Sequence, residues 1–189
     1  MNSIYIIEHL ELDLHEWCLI EYKHISKIVG KNNVWFTNIR NTDKNKIFKY
    51  GKVFRESVKF MNLEKACILD PETSALLTPK DSKQFNYFIF GGILGDSPPK
   101  KRTTPELTQF MKNASARNIG KEQFSTDNAV FVTKKVIEGV PLGKIKFVKE
   151  VEIRKNKIES TILPFRYPLV NGKPNISQEL VDYLKNRED

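Results

Sequence analysis

Three carboxylates in the sequence follow stretches whose apolar residues predict buried strands. Glu8 follows the first such stretch, Asp70 follows 66–69, and Asp96 closes a glycine loop behind a third. Strands that are apolar at almost every position are typical of parallel sheets buried on both faces. Ligands bind beyond the carboxyl ends of such strands, so the three side chains are expected to converge. Converging carboxylates hold a cationic group and stabilise moving charge, which makes Glu8, Asp70 and Asp96 the candidate catalytic residues.

The glycine loop at 91–95, Gly-Gly-Ile-Leu-Gly, allows a ligand to approach the backbone closely. Its spacing differs from a dinucleotide-binding fingerprint, and Pro98-Pro99 prevents a helix from starting directly behind it. The sequence also contains no Walker loop and no nucleophile elbow. A cofactor without a phosphate, held mainly by backbone amides and carbonyls, is compatible with this loop, and S-adenosylmethionine fits that description. A second loop, 119–127, is expected to lie against the first.

The elements that would position these loops alternate between strands and helices. Strands are predicted at 3–7, 33–37, 66–69, 85–90 and 115–120, and helices at 11–29, from Ser125 or Thr126 to about 138, and at 177–186. A further helix with a basic face is expected within 40–65, and an edge strand at 144–153. Glu21 interrupts the apolar stripe of the first helix, so we expect it to pair with a basic side chain or to point towards a site. The pattern predicts one α/β domain spanning 1–189.

Composition narrows the class of protein. The chain has 189 residues, 40% of them apolar, and no apolar run of the roughly 20 residues that a membrane helix needs. The N-terminal residues lack the pattern of a signal peptide, so a cytoplasmic protein is expected. Cys18 and Cys67 lie within apolar patterns and predict buried thiols, and no metal site is expected. The net charge of +8 hints at a polyanionic partner, or reflects an AT-rich genome.

Seven short blocks along most of the chain carry a resemblance to a known family. They are IYIIEH at 4–9, LDP at 69–71, FNYFIFGGILGDSPP at 85–99, RT at 102–103, EL at 106–107, GKEQFSTDNA at 120–129 and PFRY at 164–167. On these blocks the chain resembles the SPOUT-class protein-arginine N-methyltransferase family. Its yeast member modifies a small-subunit ribosomal protein, and its members have also been described as predicted RNA methyltransferases. The resemblance implies an α/β fold with a SPOUT-type parallel sheet flanked by helices and a C-terminal trefoil knot at about 85–140.

The resemblance also implies a site for S-adenosylmethionine, with S-adenosylhomocysteine as the product. By matched motif, the cofactor contacts would be Leu69, Phe90, Gly91, Gly92, Gly95, Asp96, Arg102, Thr103, Ile119, Gly120, Gln123, Phe124, Ser125, Thr126 and Ala129. Arg102 and Thr103 would cover the methionine end, with the arginine as a possible partner of its carboxylate.

Two substrates and a non-catalytic role remain open from the residues. A guanidinium stays protonated and needs carboxylates beside the sulfonium, which Glu8, Asp70 and Asp96 would provide. RNA would instead need basic residues around the pocket, and Lys100, Lys101 and Arg102 offer some of these. We expect methylation of an arginine in a small-subunit ribosomal protein, with RNA methylation as the alternative and a binding module that has lost catalysis as the second. A monomer is weakly preferred over a homodimer.

Overall fold

A six-stranded parallel sheet forms the centre of the computed structural model, which describes residues 3–187. The strand order is β3-β2-β1-β5-β4-β6. The strands are β1 Ile4–His9, β2 Val34–Thr37, β3 Lys52–Val53, β4 Ala66–Leu69, β5 Tyr87–Gly92 and β6 Ser115–Arg117. The parallel sheet flanked by helices is therefore confirmed.

Two helices cover one face of this sheet. They are α1, Glu16–Val29, and α4, Thr126–Ile137, which contact each other. Both contribute apolar side chains to the largest buried cluster, together with alternate residues of β1, β2 and β5. This face carries most of the core, and α4 begins directly behind the second predicted ligand loop.

Within residues 3–187, the elements that cover the other face are short. Val58 of a 3-10 turn and Leu107, just after helix α3 at Thr103–Glu106, complete a smaller cluster on this side. Another short helix, α2 at Lys44–Ile47, lies near the edge of the sheet. The predicted helix within 40–65 is therefore wrong. The chain there forms α2, 3-10 turns and edge strand β3, whose backbone pairs with β2 instead of closing helical hydrogen bonds.

The C-terminal part forms a separate layer on α1. It consists of β7 Phe147–Val148, β8 Val151–Arg154, β9 Ser160–Leu163, β10 Tyr167–Val170, β11 Lys173–Pro174 and helix α5 Gln178–Asn186. These strands pair antiparallel in two small sheets. The expected single edge strand at 144–153 is therefore two short strands that do not join the main sheet. Among residues 3–187, no helix has both the length and the apolar character that crossing a membrane requires.

Candidate active site

A cavity of about 280 Å³ opens at the carboxyl edge of the sheet, beside β4, β5 and β6. Three chain segments form its wall: the end of β4, the loop from β5 to α3, and the loop from β6 into α4. The lining residues are Leu69, Asp70, Pro71, Glu72, Phe90, Gly91, Ile93, Leu94, Gly95, Asp96, Pro99, Lys100, Lys101, Arg102, Thr103, Ile119, Gly120, Lys121, Glu122, Gln123, Phe124, Thr126 and Ala129. Parallel pairing brings these segments together because it places the strand ends at one edge.

The cavity wall combines an apolar surface with an acidic rim. Leu69, Phe90 and Phe124 provide apolar surface of the kind that an adenine ring packs against, and glycines leave backbone groups accessible. Asp96, Glu72 and Glu122 add carboxylates, which suit a cationic group. The residues present therefore fit S-adenosylmethionine, a cofactor with an apolar aromatic end and a positively charged sulfur.

All of the predicted cofactor contacts line this cavity except Gly92 and Ser125. Gly92 faces the core: a Cβ there would lie 2.3 Å from the Tyr22 hydroxyl of α1. The glycine therefore permits close packing of the helix on the sheet. Ser125 precedes the first residue of α4, and its buried hydroxyl donates to Asp127 at 2.6 Å. Both residues therefore lie behind the residues that line the cavity, where they contribute to packing.

Asp70 lies in the wall, but both of its carboxylate oxygens already accept hydrogen bonds from the protein. One oxygen accepts from the hydroxyls of Thr104 and Thr108, at 2.8 and 2.6 Å. The other accepts from the backbone N–H of Glu72 at 2.9 Å. Asp70 thus connects the end of β4 to α3 and the turn that follows it. This arrangement suits a positioning residue better than the predicted catalytic one.

Asp96 is the predicted carboxylate that the structure leaves available at the rim. Its side chain is 30% exposed and one oxygen accepts from the Lys100 ammonium at 2.8 Å. The backbone carbonyl of Asp96 accepts a separate hydrogen bond from Gln123 at 3.0 Å. The backbone of Asp96 therefore joins the two loops of the cavity. Its side chain can exchange the Lys100 ammonium for another cation.

Glu8 does not reach the cavity. Strand β1 continues through Glu8 to His9, and the Glu8 side chain is completely buried. Its carboxylate accepts from the hydroxyls of Thr37 and Ser57 and from the backbone N–H of Val58. The structure thus contradicts the expected convergence of Glu8 with the other two carboxylates. The physical reason is alternation along the strand, which directs this side chain to the face covered by the 57–60 turn.

Arg102 lines the cavity with its guanidinium already engaged. It donates to Glu11 at 2.7 Å, to Glu106 at 2.6 and 3.1 Å, and to the Leu10 carbonyl at 3.3 Å. Hydrogen bonding to Glu106 and then to Glu11 raises the pKa of Arg102 above its usual value. The side chain therefore holds α3 against the segment that follows β1. These contacts favour a structural role for Arg102 over the expected pairing with the methionine carboxylate.

Glu11 and the rim residues Glu72 and Glu122 were missed from the sequence. Glu11 accepts from the backbone N–H of Leu94 as well as from Arg102, so it shapes the glycine loop. Glu72 pairs with Lys101 at 3.0 Å, and Glu122 with Arg166 at 3.0 Å. The only available signal was their closeness in sequence to predicted site residues, because their partners lie far away along the chain.

A buried polar cluster lies beneath the cavity at the start of α4. Glu21 accepts from the Trp17 indole at 2.8 Å and from the backbone N–H of Thr126 at 3.2 Å. Burial, and secondarily the nearby Asp127, raises the pKa of Glu21 to about 8. No basic side chain pairs with Glu21 among the described residues, so the expected basic partner is wrong. Because Thr126 also lines the cavity, this carboxyl group connects the core of α1 to the site.

Comparisons with known proteins agree with this geometry. The family model "Protein arginine N-methyltransferase SFM1-like" matches residues 4–189. The protein arginine N-methyltransferase SFM1 of Saccharomyces cerevisiae is 36% identical over 199 residues, which cover 96% of this chain and 93% of the yeast protein. The crystal structure of the yeast enzyme complexed with SAM superposes with a TM-score of 0.89 at 35% identity, covering 98% of this chain and 91% of the other. The structure of its SAH complex gives 0.88 at 34% identity, with coverages of 97% and 95%.

A more distant structure shares the fold alone. A Trm10 protein of Thermococcus kodakaraensis superposes with a TM-score of 0.62 at 16% identity, covering 74% of this chain and 95% of that one. This structure and the present chain therefore share the arrangement of the central sheet and its helices. The family model and the yeast relative both extend over nearly the whole chain. The chain therefore belongs to the SFM1-like family of protein arginine N-methyltransferases.

Proposed function

We propose that this protein transfers a methyl group from S-adenosylmethionine to an arginine side chain of a small-subunit ribosomal protein. Membership of the family makes the chain an S-adenosylmethionine-dependent protein arginine methyltransferase. The observation that carries the choice of acceptor is the acidic rim, where Asp96, Glu72 and Glu122 face a glycine-lined cavity. The ribosomal substrate rests on the resemblance of the sequence blocks described above.

The rim carboxylates are paired in a way that an incoming arginine can replace. Asp96 pairs with Lys100, and Glu72 pairs with Lys101, and both lysine side chains are about two-thirds exposed. Exposed ion pairs contribute only about 0–1 kcal/mol, so exchanging one costs little. A guanidinium binds a carboxylate through two parallel hydrogen bonds, which an ammonium cannot match. We therefore infer that the substrate arginine displaces Lys100 from Asp96.

Asp96 then orients the reacting nitrogen and balances its charge. The cofactor, when bound, supplies a methyl group on a positively charged sulfur. A second cation beside it is unfavourable unless a carboxylate compensates, and Asp96 lies where the two loops of the cavity meet. Its carboxylate holds the guanidinium, fixes the direction of attack and accepts the proton released from the methylated nitrogen. Asp70 keeps α3 in place through Thr104 and Thr108.

The three remaining parts of the proposal concern topology, assembly and location. A trefoil knot in about 85–140 is proposed from the resemblance of the sequence blocks, and the contact of Gln123 with Asp96, which places the later loop on the earlier one, is compatible with it. We propose that the enzyme acts as a monomer, on the basis of the resemblance of the sequence blocks. A cytoplasmic location is proposed from the sequence composition, and Cys18 and Cys67 are both free and buried.

Transfer of a radiolabelled methyl group into a cell extract tests the proposed acceptor. The extract is divided and treated with RNase or with protease after the reaction. Label that survives RNase and is removed by protease supports a protein acceptor, and acid hydrolysis should then yield methylarginine. Label removed by RNase would contradict the proposal and support RNA methylation. Absence of label, with S-adenosylhomocysteine still bound in calorimetry, would indicate a module without catalysis.

A further inference from the structure

The sheet face opposite α1 and α4 carries aromatic side chains that remain partly accessible. Trp35 lies between Phe54 and Tyr87, with ring centroids 5.1 and 5.6 Å apart. All three rings are half-buried. Phe60 and Phe110 stand on the turns that border the same face and are 78% and 54% exposed. Contiguous exposed apolar surface that is bordered by polar residues marks interaction sites on proteins.

Lysines accompany these rings without carboxylate partners. The Lys52 ammonium lies 5.1 Å from the Trp35 ring centroid and 4.8 Å from that of Phe54, and Lys59 lies 4.9 Å from that of Phe110. Within residues 3–187, neither lysine forms a salt bridge. Both ammonium groups can therefore bind an anion without breaking an ion pair.

The segment that contributes most of this surface also carries much of the positive charge. Residues 44–65 contain seven basic and two acidic side chains, a net charge of +5 out of +8 for the whole chain. Val58 and Leu107 join Trp35 and Tyr87 in one cluster, so the two groups of rings and lysines border the same face. We call this surface, formed by Trp35, Phe54, Tyr87, Phe60, Phe110, Lys52 and Lys59, the aromatic-basic face.

We propose that the aromatic-basic face binds single-stranded RNA. Ring faces stack on unpaired bases of any sequence, and lysines between them neutralise phosphates, which is how single strands are held without sequence specificity. An acidic peptide would use the lysines but gain nothing from the five rings. A duplex would present phosphates but no accessible base faces.

RNA binding would also resolve a mismatch of charge in the proposed function. An enzyme of net charge +8 repels a basic protein substrate, apart from the acidic rim of its cavity. In a basic protein that is bound to RNA, the phosphates of the RNA surround its arginines. A face that binds such RNA would hold the enzyme near its substrate while the cavity stays free, because none of the residues of the aromatic-basic face lines the cavity.

Fluorescence anisotropy with a labelled U12 oligonucleotide tests this inference directly. The wild-type protein should bind with a dissociation constant of about 10 μM at 50 mM KCl, in the range of weak non-specific complexes, and more weakly as salt rises. The double variant Lys52→Glu/Lys59→Glu should bind at least tenfold more weakly. The slope of log affinity against log salt should fall by roughly 0.7 for each phosphate that the variant no longer neutralises.

A matched control separates a specific face from general attraction. Lys80→Glu/Lys83→Glu introduces the same charge change at exposed positions of a turn that packs against α4, on the helix-covered side. The affinity of this variant should fall by less than threefold. Equal decreases in the two variants, or no binding by the wild type up to 100 μM, would overturn the proposal.

A second variant tests the rings without changing the charge. Phe60→Ala/Phe110→Ala should lower U12 affinity about tenfold and leave the salt dependence unchanged, because stacking and not ion pairing is removed. Unchanged affinity would overturn the stacking role, as would displacement of U12 by a poly-glutamate dodecamer at equal concentration. Tenfold tighter binding of dT12 than of U12 would overturn RNA as the occupant. Binding of S-adenosylhomocysteine, measured by calorimetry, should be unaffected in every variant, which keeps this test independent of the proposed methyl transfer.

Discussion

At the scale of single residues, the three carboxylates chosen from the sequence have different surroundings. Glu8 accepts from three buried or half-buried donors, Asp70 accepts three hydrogen bonds within the cavity wall, and Asp96 pairs with an exposed lysine. A carboxylate that binds a substrate must exchange its partner, and only the Asp96 pair can do so at little cost. The division between structural and reactive carboxylates therefore follows from their hydrogen-bond partners.

Asp96→Asn should lower the rate of methyl transfer at saturating substrate at least tenfold. The amide keeps the size of the side chain but loses the negative charge that holds the guanidinium and takes up its proton. Affinity for S-adenosylhomocysteine should stay within about threefold, since the contact with Gln123 uses the Asp96 backbone. Steady-state rates and calorimetry measure the two effects. Wild-type rates in this variant would remove Asp96 from the proposed mechanism.

Glu8→Ala should destabilise the fold without removing a group that takes part in methyl transfer. The substitution leaves the Thr37 and Ser57 hydroxyls and the Val58 N–H without their acceptor, at a cost of about 3 kcal/mol or more in the free energy of unfolding. Urea unfolding measures this decrease. The exposed Glu56→Ala is the matched control and should change stability by less than about 0.5 kcal/mol. A Glu8→Ala protein of normal stability but without activity would restore the catalytic role.

At the scale of elements, the α1–α4 contact places an acidic side chain in the core. Glu21 of α1 accepts from the first backbone N–H of α4, which belongs to the cavity residue Thr126. Such N–H groups lack intrahelical partners, so the interaction stabilises the beginning of α4. The position of Thr126 in the cavity wall therefore depends on its hydrogen bond to the buried Glu21 carboxyl group.

Stability should fall as pH rises between about 4.5 and 8 because of Glu21. Its pKa is raised to about 8 in the folded state, so the native protein holds a proton that the unfolded chain has released in this range. The contribution of this single group decreases by up to about 1.4 kcal/mol per pH unit. The stabilising contribution of Glu21 is fully present below the pKa of this group in the unfolded chain. It is lost as the pH rises through the pKa of about 8 in the folded protein.

Glu21→Gln should remove this component, so the stability of the variant relative to wild type should increase from pH 5.5 to 8.5. Urea unfolding at three pH values measures the difference. Glu16→Gln, at an exposed position of the same helix, is the control and should follow the wild-type profile. Parallel pH profiles for Glu21→Gln and wild type would contradict the assignment.

At the scale of the whole molecule, the C-terminal layer is packed into the same body as the sheet. Ile20 and Trp17 of α1 join Leu163, Phe165 and Leu180 in one cluster. The Arg166 guanidinium lies 3.8 Å from the Phe147 ring centroid. The backbone N–H of Arg166 donates to the Gln123 carbonyl at 2.8 Å. The layer therefore supports the second cavity loop as well as α1.

Calorimetry should show a single unfolding transition for the full chain. The shared cluster means that the C-terminal layer cannot detach without exposing apolar surface of α1. Added S-adenosylhomocysteine at a hundred times its dissociation constant should shift the entire transition, by about 2.7 kcal/mol. Two separate transitions, of which the ligand shifts only one, would contradict the one-domain prediction.

Much of the fold was accessible from the sequence because it depends on local patterns. Apolar runs located β1, β2, β4 and β5, and the family of the chain followed from blocks of residues that are contiguous. The prediction failed at 40–65, where basic residues with interspersed apolar ones suggested a helix. There, pairing of β3 with β2 outweighs helix propensity, and such a long-range pairing leaves no local signal.

The sequence by itself determined which segments form the cavity, since a glycine loop after a buried strand and a second loop before a helix are local features. Only the tertiary structure decided which side chains face it. A strand directs successive side chains to opposite faces, so Glu8 is turned away by alternation that becomes fixed once β1 pairs with β2 and β5. Arg102 is likewise engaged by Glu11, 91 positions earlier in the chain. Partners so distant are brought together only by folding, and they determine which charges remain available to a substrate.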